Sequence, residues 1–389
     1  MRSGAANGVD ARARLLLCSV PGEYLSMSTD FMTLHEIVKA ARANLSHGVW
    51  DYLIGGAESE TSLKRNRLAF DRRALKARVL NDVSEVSVDR NVLGVPLRIP
   101  VLLAPIGSIQ VFESGGGASV AAAAETFGVM QILSSVCTPD FETLAKQSSV
   151  AKIYQLYALG DEAWMMDLIE RTIAAKYTAF CLTVDTQVYS RRERDIAKRY
   201  VPASGRQVQQ AQVGRGGFGT QAKLTWGLVK RIKDRFSIPL VLKGIACAED
   251  AAMACEHGVE VVYVSNHGGR QLDQGRATLD MLPEVVKAVA GRATVIVDGG
   301  IQRGTDVLKA LALGADAVGV GRLEALAMAA GGTAGVVRML EILEQEIRIN
   351  LALMGLPSID LLTPDSVVPA EPVVLPHVTS AMPLLSEGY

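Results

Sequence analysis

Two hydrophobic periods divide this chain. From Thr33 the apolar residues Leu34, Ile37, Val38 and Ala41 recur at helical spacing, with Thr33 as N-cap and Glu36 three residues on as its capping-box partner. A second helical piece runs from about Ser46 through Tyr52 to Gly55-Gly56, where the glycines stop it, and a third spans Glu60 to Phe70. After Pro100 the pattern changes to short apolar runs separated by helical stretches. Eight runs read as strands: Val101 to Ala104, Val129 to Leu133, Lys152 to Leu156, Phe180 to Val184, Leu240 to Leu242, Val261 to Val264, Thr294 to Val297, and Ala317 to Val320. Seven of the eight intervals contain an amphipathic helix, such as Ala163 to Ala175, Lys223 to Phe236 and Leu279 to Ala290. Strands alternating with helices imply a parallel sheet, and eight such units imply an α/β fold closed as a (β/α)8 TIM barrel. The competitor, a doubly wound open sheet, announces itself with a glycine-rich loop directly after its first strand. Here Gly115-Gly116-Gly117 lies well past that strand.

The resulting organisation is an N-terminal helical extension over residues 33–99, a barrel over 100–358 and an irregular tail over 359–389. One interval breaks the pattern. Tyr200 to Gly219 is rich in Gln, Gly, Ser and Arg, and a loop of this length in a compact domain reads as a lid over the catalytic face. Leu323 to Met354 reads as one or two closing helices. Prolines at 364, 369, 372, 376 and 383 predict a tail that wraps the surface without structure of its own. Residues 1–32 read as a disordered or mis-called extension, with Met27 or Met32 the natural start. Its apolar stretch Leu15 to Val20 is shorter than a signal peptide's core of about 7 to 15 residues.

Composition narrows the function classes. With 389 residues, 49% hydrophobic and 21% charged, the chain can bury a large core. A formal net charge of −1 with no basic stripe argues against nucleic acid as a partner. Five cysteines without paired spacing indicate neither a disulfide framework nor a zinc site, so a reducing cytoplasm fits. No apolar run in the sequence approaches the roughly 18 residues that span a bilayer.

Chemistry in a barrel sits at the C-terminal strand ends. Strand six runs into Ser265-Asn266-His267-Gly268-Gly269-Arg270-Gln271-Leu272-Asp273. His267 can take a proton and Arg270 can hold a carboxylate, the minimum kit for oxidising a hydroxy acid. Gly299-Gly300 and Gly321-Arg322 end the last two strands, where barrels hold a phosphate. Ser134, Gln155 and Thr183 suit the edge of a flat heterocycle, and Lys243 supplies positive charge that would stabilise a reduced, anionic flavin. Asp185, at the end of strand four, is expected to orient His267 and raise its pKa.

The run S-N-H-G-G-R-Q-L-D, together with Q-L-Y, T-V-D, L-K-G, D-G-G-I and G-T-D-V-L-K-A-L-A-L-G-A, resembles the FMN-dependent α-hydroxy acid oxidising enzymes over about Thr33 to Ser358. The resemblance implies a barrel binding FMN and converting a 2-hydroxy acid to a 2-oxo acid in a soluble homo-oligomer, a tetramer. It assigns His267 as base with Asp185 as partner. It gives Arg270, Arg192 and Tyr52 to the substrate carboxylate and Tyr157 to the reacting oxygen. FMN would be held by Ile106, Ser134, Gln155, Thr183, Lys243, Ser265, Asp298, Gly299, Gly300, Gly321 and Arg322.

This sequence departs from the family in five places. Gln302 replaces the first arginine of D-G-G-I-R-R-G, which loses a phosphate contact or passes it to Arg303. Val136 replaces a tryptophan and Gly107 an alanine, both expected to enlarge the substrate pocket. Gly321-Arg322-Leu323 replaces G-R-P, and the lid is short. An FMN-dependent isomerase, which needs no converging arginines, and a non-catalytic flavin-binding barrel are the alternatives.

Overall fold

The computed structural model describes residues 30–203, 206, 213–214 and 217–388. Residues 1–29 of the expected extension, and half of the expected lid, lie outside the described residues. Within the lid, Val213–Gly214 pairs antiparallel with Gly217–Phe218.

Eight parallel strands close a barrel in sequence order: β1 Val101–Leu103, β2 Met130–Ser134, β3 Lys152–Leu156, β4 Ala179–Thr183, β5 Leu240–Ile245, β6 Val261–Val264, β7 Thr294–Val297 and β8 Ala317–Val320, with β8 pairing back to β1. The expected strands match within a few residues. The largest difference is β5, which runs on to Ile245 through a register shift between Lys243 and Ile245. These strands are buried on both faces, so they read as unbroken apolar runs. The interior is packed by Leu102, Ile132, Ile153, Cys181, Val261, Tyr263 and Ile296. A hairpin, Arg90–Val92 with Val95–Leu97, adds Val92 and Leu97 to that cluster, sealing the barrel away from its C-terminal face.

Three helices precede the barrel: α1 Leu34–Asn44, α2 His47–Ile54 and α3 Thr61–Asp71. The Thr33 and Glu36 capping box forms, and Ser46 caps α2 by accepting from the Val49 amide. Asp273 reaches across from the loop after β6 to start α3, accepting from the Ser62 amide at 2.9 Å and from the Ser59 amide at 2.9 Å. Gln271 from the same loop donates to Asp185 O and Val188 O at 3.2 and 3.0 Å. The polar residues that follow His267 therefore fasten the prelude and the β4 loop around one point.

The closing helix Arg322–Leu353 is interrupted at Gly331–Gly332, where Gly332 takes φ +57°. Asn44 at the end of α1 donates to Ala329 O at 2.9 Å, satisfying a carbonyl left free by the break. By length and composition this helix could cross a membrane, which differs from the sequence expectation. Because 61% of its most apolar window is buried, it reads as a core helix.

The tail also differs from expectation. Val367–Pro369 pairs antiparallel with Arg73–Leu75, and Val378 and Met382 are buried in the main core. Pro369 ends the strand, a position that tolerates the missing amide.

Candidate active site

The C-terminal ends of the strands open into one cavity, whose lining includes Tyr52, Ile106, Tyr157, Lys243, His267 and Arg270. Past β6 the backbone turns left-handed at three consecutive residues, His267 (φ +58°), Gly268 (+64°) and Gly269 (+76°). Close approach explains the glycines: a Cβ at 268 would lie 2.8 Å from Arg322 Nη1, and one at 269 would lie 2.5 Å from the Leu63 amide nitrogen. Held in this turn, with its amide donating to Ser265 Oγ at 3.0 Å, His267 has its two ring nitrogens committed to different partners. Nδ1 is 3.1 Å from Asp185 Oδ1, and Nε2 is 3.2 Å from the Tyr157 hydroxyl. An acidic partner at Nδ1 fixes the proton there and leaves the Nε2 lone pair toward the cavity.

Burial lowers the His267 pKa below its ordinary value, Asp185 raises it, and Lys243 and Arg192 lower it further; the net direction is down. The sequence expectation that Asp185 would raise it is thus corrected: burial and two cations outweigh one carboxylate. Asp185 itself is pushed up by burial, but His267 and Lys243 hold it net below the usual carboxylate range. The resting pair is therefore a neutral imidazole beside an ionised carboxylate.

Besides Arg67, which is ion-paired to Asp306, three guanidiniums are set into the same cavity wall. Arg192 donates to the Tyr189 hydroxyl at 2.8 Å and lies 4.3 Å from that ring's centroid. Arg270 donates to Tyr52 O and Gly55 O at 2.7 and 2.9 Å and stands 4.9 Å from the Tyr52 ring. Arg322 donates to Leu53 O, Gly268 O and Gly55 O. Among the described residues none of the three forms an ion pair, although Glu60 and Asp298 act on Arg322 from a distance. Burial, then repulsion from Arg270, pushes the Arg322 pKa down to about 9, with Glu60 opposing and Arg192 adding to the fall. Cations held by neutral oxygens and crowding one another make a site preorganised for anions.

Opposite them, Lys243 donates to Ser265 Oγ at 2.9 Å and lies 3.4 Å from Asp298 Oδ2. Burial works against its charge, but Asp298 and Asp185 raise its pKa, so the ammonium persists. Gln155 donates through Nε2 to Thr183 Oγ1 at 2.8 Å, while its Oε1 is buried without a protein partner. An orphaned buried acceptor costs about 1–3 kcal/mol unless a ligand N–H meets it. Ser134, Gln155, Thr183 and Ser265 are buried at the strand ends but do not line the cavity. Gly299 (φ +98°) and Gly300 (+92°) do line it, against α3: a Cβ at 300 would lie 3.1 Å from Asn66. Asn66 exchanges amide hydrogen bonds with Asn266 at 2.9 Å each way, and Arg67 donates to Gly300 O.

Two further expectations are corrected. Arg303 does not line the cavity: it caps the helix Gly304–Ala312, with Glu346 2.6 Å away and Met382 Sδ 3.7 Å away. Gln302 lines it instead, so Arg303 does not supply the lost cation at that end. Gly107 and Val136 do not both open the pocket, since a methyl at 107 would meet Val136 Cγ2 at 2.9 Å. Val136 leans into that space and packs with Tyr157, Leu159 and Tyr189. Sequence reasoning missed Tyr189, Asn66, Arg67, Phe112 and Val378, all of which line the cavity. The N-R pair on the inner face of a predicted helix was the one available signal.

A family model described as FMN-dependent dehydrogenase matches residues 41–369. The chain is 40% identical over 344 residues to an L-lactate oxidase of Nostoc sp., covering 83% of this chain and 94% of that protein. It is 38% identical over 335 residues to glycolate oxidase 3 of Arabidopsis thaliana, covering 82% of this chain and 91% of the relative. A solved structure of mandelate oxidase with (S)-2-phenylpropionate superposes with a TM-score of 0.80 at 35% identity, covering 88% of this chain and all of that one. The (β/α)8 barrel with its histidine, unpaired arginines and glycine-lined end belongs to the FMN-dependent dehydrogenase family, and the chain is an FMN-dependent enzyme that oxidises 2-hydroxy acids.

Proposed function

We propose that the substrate is an L-2-hydroxy acid with an apolar side chain and that His267 is the base. One observation carries the reading: a neutral histidine tied to Asp185 shares a cavity with two guanidiniums, Arg192 and Arg270, that form no ion pair among the described residues, Asp195 acting on both only from a distance. FMN, when bound, accepts the two electrons and the hydrogen leaving the substrate Cα. Its phosphate would be held by Gly300, Gly321 and Arg322. Its ring would be held by Ile106, Lys243 and Asp298 on the cavity wall and by Ser134, Gln155, Thr183 and Ser265 at the strand ends, with the free Gln155 Oε1 accepting from a ring N–H.

The remaining work falls to side chains. Arg192, Arg270 and Tyr52 bind the carboxylate and thereby set the face of Cα that is presented. Tyr157 holds the substrate hydroxyl near His267. His267 Nε2 takes the hydroxyl proton as Cα is oxidised, and Asp185 stabilises the imidazolium that results; general base catalysis of this kind contributes roughly 10²–10⁴ in rate. Phe112, Val136 and Tyr189 give the substrate side chain an apolar wall. An isomerase would have no use for the paired arginines, which favours oxidation over that alternative.

We also take the working enzyme to be a cytoplasmic homo-oligomer. Four free cysteines among the described residues and the exposed Val79, Leu80, Val373 and Leu375 support this, and its mass in solution tests it. Anaerobic mixing with glycolate, L-lactate, L-2-hydroxyisocaproate and L-mandelate tests the function. Bleaching of the flavin is expected, slowest with glycolate, because each buried CH₂ adds about 0.8 kcal/mol. No bleaching with any of the four would sink the reading.

A further inference from the structure

The cavity's glycine-lined end is closed by a part of the chain that lies beyond residue 369, where the family match stops. Val378 lines the same cavity as Gly300, Gln302 and Arg322. It is 6% exposed, and Met382, four residues on, is 2% exposed, so both are buried as deeply as barrel residues. Between them the chain is held in tight turns, with the Ser380 amide donating to His377 O at 3.0 Å and the Met382 amide to Thr379 O at 2.9 Å. Two consecutive residues after β7 fasten it. Gln302, itself 5% exposed, donates from Nε2 to Val378 O, and Arg303 reaches Met382 Sδ at 3.7 Å. The Gln302 side chain holds the strap through its amide nitrogen only, since its Oε1 is buried without a protein partner.

We infer that residues 376–385 form a strap over the phosphate end of the site, fastened by Gln302, that retains the bound mononucleotide. The inference rests on the reading of this cavity as the FMN site. It gives Gln302 a role in place of the arginine expected there: the residue contributes no charge to the phosphate but holds a lid over it. A buried amide-to-carbonyl bond and two buried apolar side chains must be disrupted before a ligand at that end can leave, so release slows without any new contact to the ligand. The strap is bonded to Gln302 and Arg303 after β7, and among the described residues no hydrogen bond ties it to Tyr157, His267 or Arg192, so its effect is on retention of FMN, separate from the chemistry.

The test is the rate at which FMN leaves the holoenzyme, followed by the rise of flavin fluorescence on dilution into buffer. A chain ending at Glu371, which keeps Val367–Pro369 paired with Arg73–Leu75, is expected to release FMN at least tenfold faster than the full chain. Gln302→Met, close in shape but without the donor, is expected to release it several-fold faster, and Val378→Ala likewise. If the shortened chain does not fold, as judged by circular dichroism, the two point variants decide. Equal release from full chain and variants overturns the strap and leaves the FMN site standing. A full chain that takes up no FMN overturns the reading of the site and the strap with it.

Discussion

His267 is poised by opposition between its neighbours. Burial and the cations Lys243 and Arg192 keep the ring neutral, while Asp185 waits for the charge that arrives with the proton. Replacing His267 by Gln keeps a polar group but removes the basic nitrogen, so flavin reduction by substrate should slow by about 10² or more with FMN still bound. Unchanged reduction would mean that another group takes the proton. The pH dependence has a definite sign. A depressed pKa leaves the base available at pH values where a free imidazole, near 6.5, is already protonated, so the acidic limb of kcat/KM should fall below 6.5. In Asp185→Asn the group that raises the His267 pKa is gone, and the limb should move lower still as the rate drops; a shift upward would contradict this arrangement. Tyr189 makes a different contribution through Arg192, whose guanidinium it stacks on and accepts from. Tyr189→Phe keeps the ring and removes the acceptor. A hydrogen bond to a charged group contributes about 1.5–3 kcal/mol, so KM should rise roughly tenfold or more with kcat little changed. Equal KM values in Tyr189→Phe and the parent would show that Arg192 is positioned by other contacts.

At the scale of elements, the loop after β6 is a hub. Asp273 starts α3, Gln271 holds the β4 loop beside Asp185, and α3 in turn supports Gly299-Gly300 through Asn66 and Arg67. Loss of a helix cap costs about 1–2 kcal/mol, so Asp273→Ala should lower the thermal midpoint by roughly 1–3 °C. Hydrogen bonds from Ser59 and the Ser62 amide hold the Asp273 pKa below its ordinary value against burial. Its stabilisation is therefore present above the usual carboxylate range and lost as pH falls through that lower value. In strong acid the variant and parent should melt alike; a difference persisting there would mean the cap acts without its charge. The eight strands were legible because apolar runs of four or five residues flanked by glycine and charge have few other readings. His267, Arg270 and Lys243 were legible because a strand end in a barrel is a known place. Asn66, Tyr189 and Val378 were not, since each reaches the cavity from an element whose direction no local pattern fixes. Arg303 failed for a related reason: the residue after Gln302 faces away along the helix start, and spacing alone does not reveal which of two neighbours turns inward.

For the whole molecule, the folded chain gathers Arg192, Arg270 and Arg322 into one cavity without an ion pair among the described residues, an arrangement that costs free energy until anions arrive. The unfolded chain has no such crowding. Ligands that bind only the native state stabilise it by RT ln(1 + [L]/Kd), about 2.7 kcal/mol at a hundred times Kd. The apoprotein should therefore melt at a higher temperature with FMN, and inorganic phosphate should reproduce part of the rise by meeting the Arg322 end alone. Sodium chloride at matched ionic strength screens exposed charges but should do little for a recessed cluster that needs a bridging oxyanion. Adding a 2-oxo acid to the FMN complex should raise the midpoint again, through Arg192 and Arg270. A calorimetric series of apoprotein, apoprotein with phosphate, apoprotein with chloride, FMN complex and FMN complex with 2-oxo acid separates the two anion positions. If phosphate and chloride act equally, the arginines are screened by solvent in the folded protein and the cavity is not preorganised for anions; if the 2-oxo acid adds nothing, the carboxylate is held elsewhere than at Arg192 and Arg270.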